Sequence, residues 1–215
     1  NIKNTPGRTT YTQMLNSHGG IEADLTVTCI EEDVFRVISG SAVRTHDKHH
    51  ILTNLNSNID FKDITEEYVC LGVFGPKSRQ LLTDVFGNKF KTSTFPFGTG
   101  KYLNLQGVSI WFQRLSYVGE LGWELYIPIQ HAKKIYHYLI KAGASHDLIH
   151  AGAHAMDIMR MEKMYLHWGH DISPAENPFE AGLGFAARLE KEENFIGKQA
   201  LLKIQKIPLK KQLVM

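Results

Sequence analysis

The sequence predicts an α+β fold of mostly antiparallel sheets flanked by helices, and two observations carry that expectation. Strand-like segments come in pairs joined by tight turns, and each pair runs into a stretch with helical spacing of apolar residues. A doubly wound parallel fold would instead alternate single strands with helices.

The elements follow in order. Leu25, Val27 and Cys29 alternate with Thr26, Thr28 and Ile30, the pattern of a half-buried strand. The acidic turn Glu31-Glu32-Asp33 leads to a second strand over residues 34–39, so this is a hairpin. Residues 42–55 have helical spacing at Val43, His46, His50, Ile51 and Leu55, and an Asn/Ser-rich stretch to Asn58 ends the helix. Residues 68–74 are apolar and β-rich. Gly75-Pro76 closes that strand, and Pro76 opens a helix to Val85. Residues 92–99 form a loop, 101–106 and 108–116 a second hairpin across Gly107, and 123–128 a further strand. An amphipathic helix over 132–142 stops at Gly143, and another helix covers 151–164.

With 215 residues the chain holds one large domain or two small ones. A formal net charge of +2 creates no strong field, so neither a nucleic-acid nor an anionic-membrane partner is expected. Two isolated cysteines, Cys29 and Cys70, fit a reduced, intracellular protein. No apolar run reaches the roughly 18 residues a membrane span requires. The polar N-terminus does not read as a signal peptide, and its lack of a starting Met hints at a fragment or a processed chain.

Four constellations bear chemistry. In Gly19-Gly20-Ile21-Glu22-Ala23-Asp24-Leu25, paired glycines turn into a strand and Asp24 lies at its beginning. Partial desolvation there would raise its pKa and make it a better proton acceptor; the alternative is a turn aspartate that caps backbone amides. In Ser116-Tyr117-Val118-Gly119-Glu120-Leu121-Gly122-Trp123-Glu124, the carboxylate of Glu124 sits inside an apolar strand and needs donors. A heterocyclic N–H beside an exocyclic amine would supply two at once; an internal salt bridge to Arg114 would serve equally. Arg160, in Arg160-Met161-Glu162-Lys163, either grips an anionic ligand tail or pairs with a nearby carboxylate. The segment from Asn177 to Phe185 reads as a turn leading into a glycine-permissive strand, explained mostly by packing. No metal is expected: His146, His150 and His154 are spaced four apart, but Gly143 and Gly152 interrupt the helix they would need. Gly98-Thr99-Gly100-Lys101 lacks phosphate-loop spacing and reads as a turn.

Together with Tyr11, Asn177-Pro178-Phe179-Glu180-Ala181-Gly182-Leu183 and Phe195-Ile196-Gly197-Lys198, these motifs occur in an order that resembles the glycine-cleavage T-protein (aminomethyltransferase) superfamily. The likeness runs from Tyr11 to Leu202. His167-Trp168-Gly169-His170-Asp171, and Met156 where many T-proteins carry a second arginine, lean toward the dimethylglycine and sarcosine dehydrogenase branch.

The resemblance implies a folate-binding fold in three stretches: a partial first subdomain over 1–60, a ferredoxin-like α+β subdomain over 61–150, and a helix and strands over 151–215 returning to the first. It implies tetrahydrofolate in a central hollow, with Asp24 as the catalytic residue facing the reactive nitrogens. Glu124 would hold the pterin, flanked by Tyr11 and Tyr117, and Arg160 would take part in cofactor binding. The expected activity is methylene transfer from a methylated amine, giving 5,10-methylenetetrahydrofolate. The alternatives are a glycine-cleavage aminomethyltransferase, whose donor rides on a lipoyl carrier protein, and a non-catalytic folate-binding module. FAD would enter only through a separate upstream domain, since this chain has no Gly-x-Gly-x-x-Gly. Family members usually carry further chain on both sides, so the chain is expected to be a fragment lacking the C-terminal β-barrel. The expected compartment is the cytoplasm, or the mitochondrial matrix in a eukaryote.

Overall fold

The computed structural model describes residues 2–214, which fall into two compact units: residues up to 6, 10–61 and 166 onward in one, and 7–9 with 62–165 in the other.

In the first unit, β1 (Thr9–Leu15), β2 (Ile21–Glu31) and β3 (Val34–Ile38) form a three-stranded sheet in that order. Alternation along β2 buries Ile21, Ala23, Leu25, Val27 and Cys29 and leaves Glu22, Asp24 and Thr26 half-buried. The β2–β3 hairpin is antiparallel and slips register between Cys29 and Glu31, at the acidic turn. β1 was not expected; its run of Thr, Tyr and Gln hides the period-two signal that marks β2.

A 3-10 turn (Ser41–Val43) leads into α1 (Arg44–Asn54). The start of β2 is pinned from later sequence: the Ile21 N–H donates to Glu176 O (2.9 Å) and Ile21 O accepts from Trp168 Nε1 (2.7 Å). Gly20 is required at this crossing, because a Cβ there would lie 2.0 Å from Pro174 O.

In the second unit, β4 (Tyr68–Phe74), β5 (Gly100–Leu105), β6 (Val108–Gln113) and β7 (Gly122–Pro128) form an antiparallel sheet of order β4-β7-β6-β5. α2 (Ser78–Phe86) follows β4, and α3 (Ala132–Gly143) follows β7. The connectivity is therefore β-α-β-β-β-α, not the β-α-β-β-α-β of a ferredoxin-like unit. The cause is that β7 returns from its hairpin to pair antiparallel with β4, which leaves the second helix after the last strand.

Leu81, Leu82, Ile135 and Leu139 from the two helices pack with Ile110, Phe112, Trp123, Leu125 and Ile127 from the strands. Phe90 and Phe95, from the loop after α2, close this core, with Phe90 edge-on to Trp123 at 5.3 Å. α2 stops at Gly87, whose φ of 80° an L side chain rarely adopts.

α4 (Ala153–Met161) is shorter than the expected helix over 151–164. The Lys163 and Tyr165 N–H groups both turn back to Arg160 O, and Met164 takes φ 55°, so the chain cannot continue as a helix. Past α4 the expected strands do not form among the described residues; the only pairing is a single bridge between Trp168 and Ile172. At residues 177–185 the reason is local: Asn177 Oδ1 accepts the N–H groups of Phe179 and Glu180, and this curls the backbone into turns. α5 (Lys198–Ile204), which begins after the left-handed Gly197 and buries Leu201, was not foreseen.

Neither sheet closes into a barrel, as expected for antiparallel sheets flanked by helices. No helix of the described residues is long and apolar enough to cross a membrane.

Candidate functional site

Asp24 projects from the half-buried face of β2, three residues inside the strand rather than at its start. Its carboxylate accepts from the Tyr11 hydroxyl and from Gln13 Nε2 (2.9 Å), both on β1. Desolvation raises its pKa above the ordinary aspartate value, and the two hydrogen bonds only partly oppose this. The side chain is thus the desolvated carboxylate rather than a cap on turn amides; that capping role falls to Asn16, whose Oδ1 accepts from His18 and Gly20 N–H. Tyr11 also stacks on the exposed Phe185 ring, with centroids 6.2 Å apart.

Two residues before Asp24, Glu22 accepts from Asn16 Nδ2 (2.9 Å) and meets His46 Nε2 (3.3 Å). His46 in turn faces Asp47 through Nδ1 (3.1 Å) and lies 5.0 Å from the Trp168 ring. Sequence reasoning missed this cluster, which depends on α1 packing onto β2.

Glu124 lies on β7 between Trp123 and Leu125, which point into the core. It therefore projects from the opposite sheet face, with Gly72 of β4 and Gln113 of β6 as its direct cross-strand neighbours. The carboxylate accepts from Tyr126 Oη at 2.6 Å, and desolvation raises its pKa against that bond. Tyr126 also hydrogen-bonds Cys70. Desolvation, and then the Glu124 carboxylate, raise the Cys70 thiol to about 12, so it remains protonated near neutrality.

The alternative partner, Arg114, is engaged elsewhere: it donates to Phe95 O (2.7 Å) and sits over the Trp123 ring at 5.5 Å, with Arg79 over the same ring at 5.3 Å. Glycines on the sheet face beside Glu124 admit aromatic rings. The Phe74 ring lies where a Cβ on Gly72 or Gly122 would stand, and Trp111 lies where one on Gly100 would. The glycines thus make room for two aromatic rings on the sheet face that carries Glu124.

Tyr117 is half-buried in the turn between β6 and β7. That turn meets the end of α4, where the Lys163 side chain covers Gly119. Arg160 is 2% exposed; its Nε and Nη2 reach Asp157 Oδ1 (2.8 and 2.7 Å) and its Nη1 donates to Tyr165 O (3.1 Å). The structure shows the carboxylate-pairing alternative for this arginine.

The structure thus brings Tyr11 to Asp24, and places Glu124, Tyr117 and Arg160 within the other compact unit. Gln13 and Tyr126, the donors to the two carboxylates, were not singled out from sequence, although each lies two residues along its own strand from a residue that was.

His146 pairs with Asp84 (2.7 Å) and His150 meets Tyr136 Oη (2.8 Å), so the three spaced histidines do not converge; among the described residues no group of three metal-ligating side chains stands together. A groove of about 300 Å³ in the first unit, lined by Met14, His50, Ile51 and Phe195 among others, includes Gln13 but not Asp24.

Comparison with known proteins gives this geometry a context. A family model described as the GCVT N-terminal domain matches residues 1–191. The chain belongs to the GCVT N-terminal domain family.

Within that family it is 38% identical to human mitochondrial sarcosine dehydrogenase, over 99% of this chain and 25% of that protein. It is 35% identical to human mitochondrial dimethylglycine dehydrogenase (97% and 24%) and 34% identical to an aminomethyltransferase of Halothermothrix orenii (97% and 57%). The crystal structure of glycine cleavage system aminomethyltransferase T from Bartonella henselae superposes with a TM-score of 0.81 at 26% identity, covering 95% of this chain and 55% of that one. The chain therefore spans about a quarter of the length of the two dehydrogenases it matches. Its GCVT-type fold agrees with the architecture expected from sequence.

Proposed function

We propose that this GCVT domain binds tetrahydrofolate and serves one-carbon transfer to it, as the folate domain of a dimethylglycine- or sarcosine-dehydrogenase-like protein. The observation that supports this reading is a pair of desolvated carboxylates, Asp24 and Glu124, each accepting from a tyrosine hydroxyl.

Tetrahydrofolate, when bound, would supply the amine nitrogens for a one-carbon unit already at the formaldehyde level, as an iminium or aminomethyl carbon, giving 5,10-methylenetetrahydrofolate with release of the donor amine. Glu124 would accept two N–H bonds from the pterin edge, and Tyr117 would flank the ring. Asp24, whose pKa desolvation raises above the ordinary aspartate value, would accept a proton at Oδ and stabilise positive charge beside it. Tyr11 and Gln13 fix that carboxylate, which leaves the reaction largely a matter of orientation. Arg160 braces the end of α4 rather than the ligand.

A glycine-cleavage aminomethyltransferase is the second reading, favoured by the identity to the Halothermothrix orenii protein. Titration with tetrahydrofolate, followed by transfer assays from formaldehyde, which stands at the oxidation level of the methylene unit, or from an aminomethyl-lipoyl carrier, tests both. Binding with transfer from formaldehyde above the uncatalysed rate supports the first reading, and transfer from the lipoyl carrier alone supports the second. Binding without transfer from either donor leaves a folate-binding module, and no binding overturns the folate reading.

A further inference from the structure

The near-neutral total charge hides a segregated basic surface. From Val85 to Gly119 the chain carries Lys89, Lys91, Lys101 and Arg114 and no acidic residue, and the fold brings Arg79 of α2 to them. Three of these side chains, from α2, from β5 and from just past β6, converge on the loop after α2. Arg79 donates to Phe90 O and to Thr92 Oγ1 (3.2 Å), Lys101 Nζ to Lys89 O (3.2 Å) and Thr94 O (3.1 Å), and Arg114 to Phe95 O (2.7 Å). Lys101 Nζ lies 4.3 Å over the Phe95 ring, which is 6.0 Å from the Trp123 ring that both arginines cover. Every one of these acceptors is neutral, and among the described residues none of the five cations pairs with a carboxylate. Desolvation lowers the pKa of Lys101 and of Arg114, and a neighbouring cation lowers it further, Lys89 for the first and Arg79 for the second.

Like charges gathered this way leave their counter-charge to come from another molecule. Lys89 and Lys91 are exposed on the loop, and Phe97, 66% exposed, stands one residue before Gly98, whose N–H donates to Arg114 O (3.0 Å). An exposed aromatic ring beside cations is the composition of a protein-docking surface. We propose that this surface docks a carboxylate-rich segment of a partner protein. Nucleic acid suits it less. Lys and Arg number 24 against 22 Asp and Glu, so apart from these five cations the chain is net negative and repels a phosphate polymer that outruns the patch. Docking here is independent of folate binding.

The test is fluorescence anisotropy of a fluorescein-labelled decaglutamate peptide titrated with the chain. Wild type binds the peptide, and binding weakens as salt rises. Lys89→Glu with Lys91→Glu weakens it by about tenfold or more. Lys133→Glu with Lys134→Glu makes the same charge change at two exposed positions of α3 and alters binding by less than about twofold. Should the loop reversal fail to fold, Lys89→Ala with Lys91→Ala decides instead, against Lys133→Ala with Lys134→Ala. Equal weakening by the loop and α3 pairs marks an effect of net charge alone and overturns the inference, as does a wild-type chain that leaves the peptide free at low salt. A single-stranded oligonucleotide of equal charge that binds more tightly than the peptide, and through the same two lysines, assigns the surface to nucleic acid and overturns the protein partner.

Discussion

The Tyr126 hydroxyl donates to the Glu124 carboxylate across 2.6 Å, from two residues further along the same strand. This bond lowers a carboxylate pKa that desolvation has raised, so it keeps Glu124 charged at a lower pH than burial alone would allow. Removing it with Tyr126→Phe raises the Glu124 pKa further. Because only the ionised carboxylate accepts two N–H bonds, tetrahydrofolate binding is lost as pH falls through that pKa. In Tyr126→Phe the loss sets in at higher pH, which a series of binding isotherms against pH would reveal as a displaced midpoint.

Asp24 and Glu124 both have folded-state pKa values above their ordinary ones. Between the unfolded and folded values the native state binds more protons than the unfolded state, so stability falls as pH rises through that window and stays lowered above it. Asp24→Asn and Glu124→Gln remove the desolvated charge and keep an acceptor for the tyrosine. Each variant melts higher than wild type near neutral pH by a few degrees, and the gain vanishes in acid below the unfolded carboxylate range. Thermal unfolding at several pH values checks both the sign and the window.

Gly20→Ala places a methyl group 2.0 Å from Pro174 O, where backbone rather than a flexible side chain stands in the way. The Ile21 bonds to Glu176 and Trp168 follow directly, so the strain falls on the start of the strand that carries Asp24. The substitution costs roughly 1–3 kcal/mol, measured by denaturant unfolding.

Arg160 and Asp157 are unequal partners, since the guanidinium side chain is 3% exposed and the carboxylate 45%. Asp157→Ala removes two of the bonds of a buried guanidinium that keeps Tyr165 O, and costs roughly 1–3 kcal/mol. Arg160→Met leaves a carboxylate that water can solvate, and costs less. The same Arg160→Met variant separates the bracing role from a ligand role. If Arg160 gripped an anionic folate tail, folates with longer polyglutamate tails would lose more affinity than the bare pterin; bracing predicts that all lose alike.

The strands that carry the candidate site were legible because their faces alternate. The periods in residues 25–30 and 123–128 place Leu25 and Trp123 inward, and hence Asp24 and Glu124 on the other side. β1 was hidden by its polar composition, and residues 177–185 by the power of one asparagine side chain to hold two backbone amides in a turn. Arg160 could not be assigned from sequence, because an arginine three residues from an aspartate on a helix can always pair locally. The resemblance to T-proteins supplied the roles, whereas alternation and desolvation alone identified two costly carboxylates without saying what they hold.

The central claim is that the Glu124 carboxylate recognises the pterin, and its most direct test is the affinity of Glu124→Gln for tetrahydrofolate. Losing a charge-assisted acceptor for two N–H groups weakens binding by roughly 10- to 150-fold, while Asp24→Asn binds nearly as wild type. A Glu124→Gln variant that binds tetrahydrofolate as tightly as the unaltered chain would contradict the account.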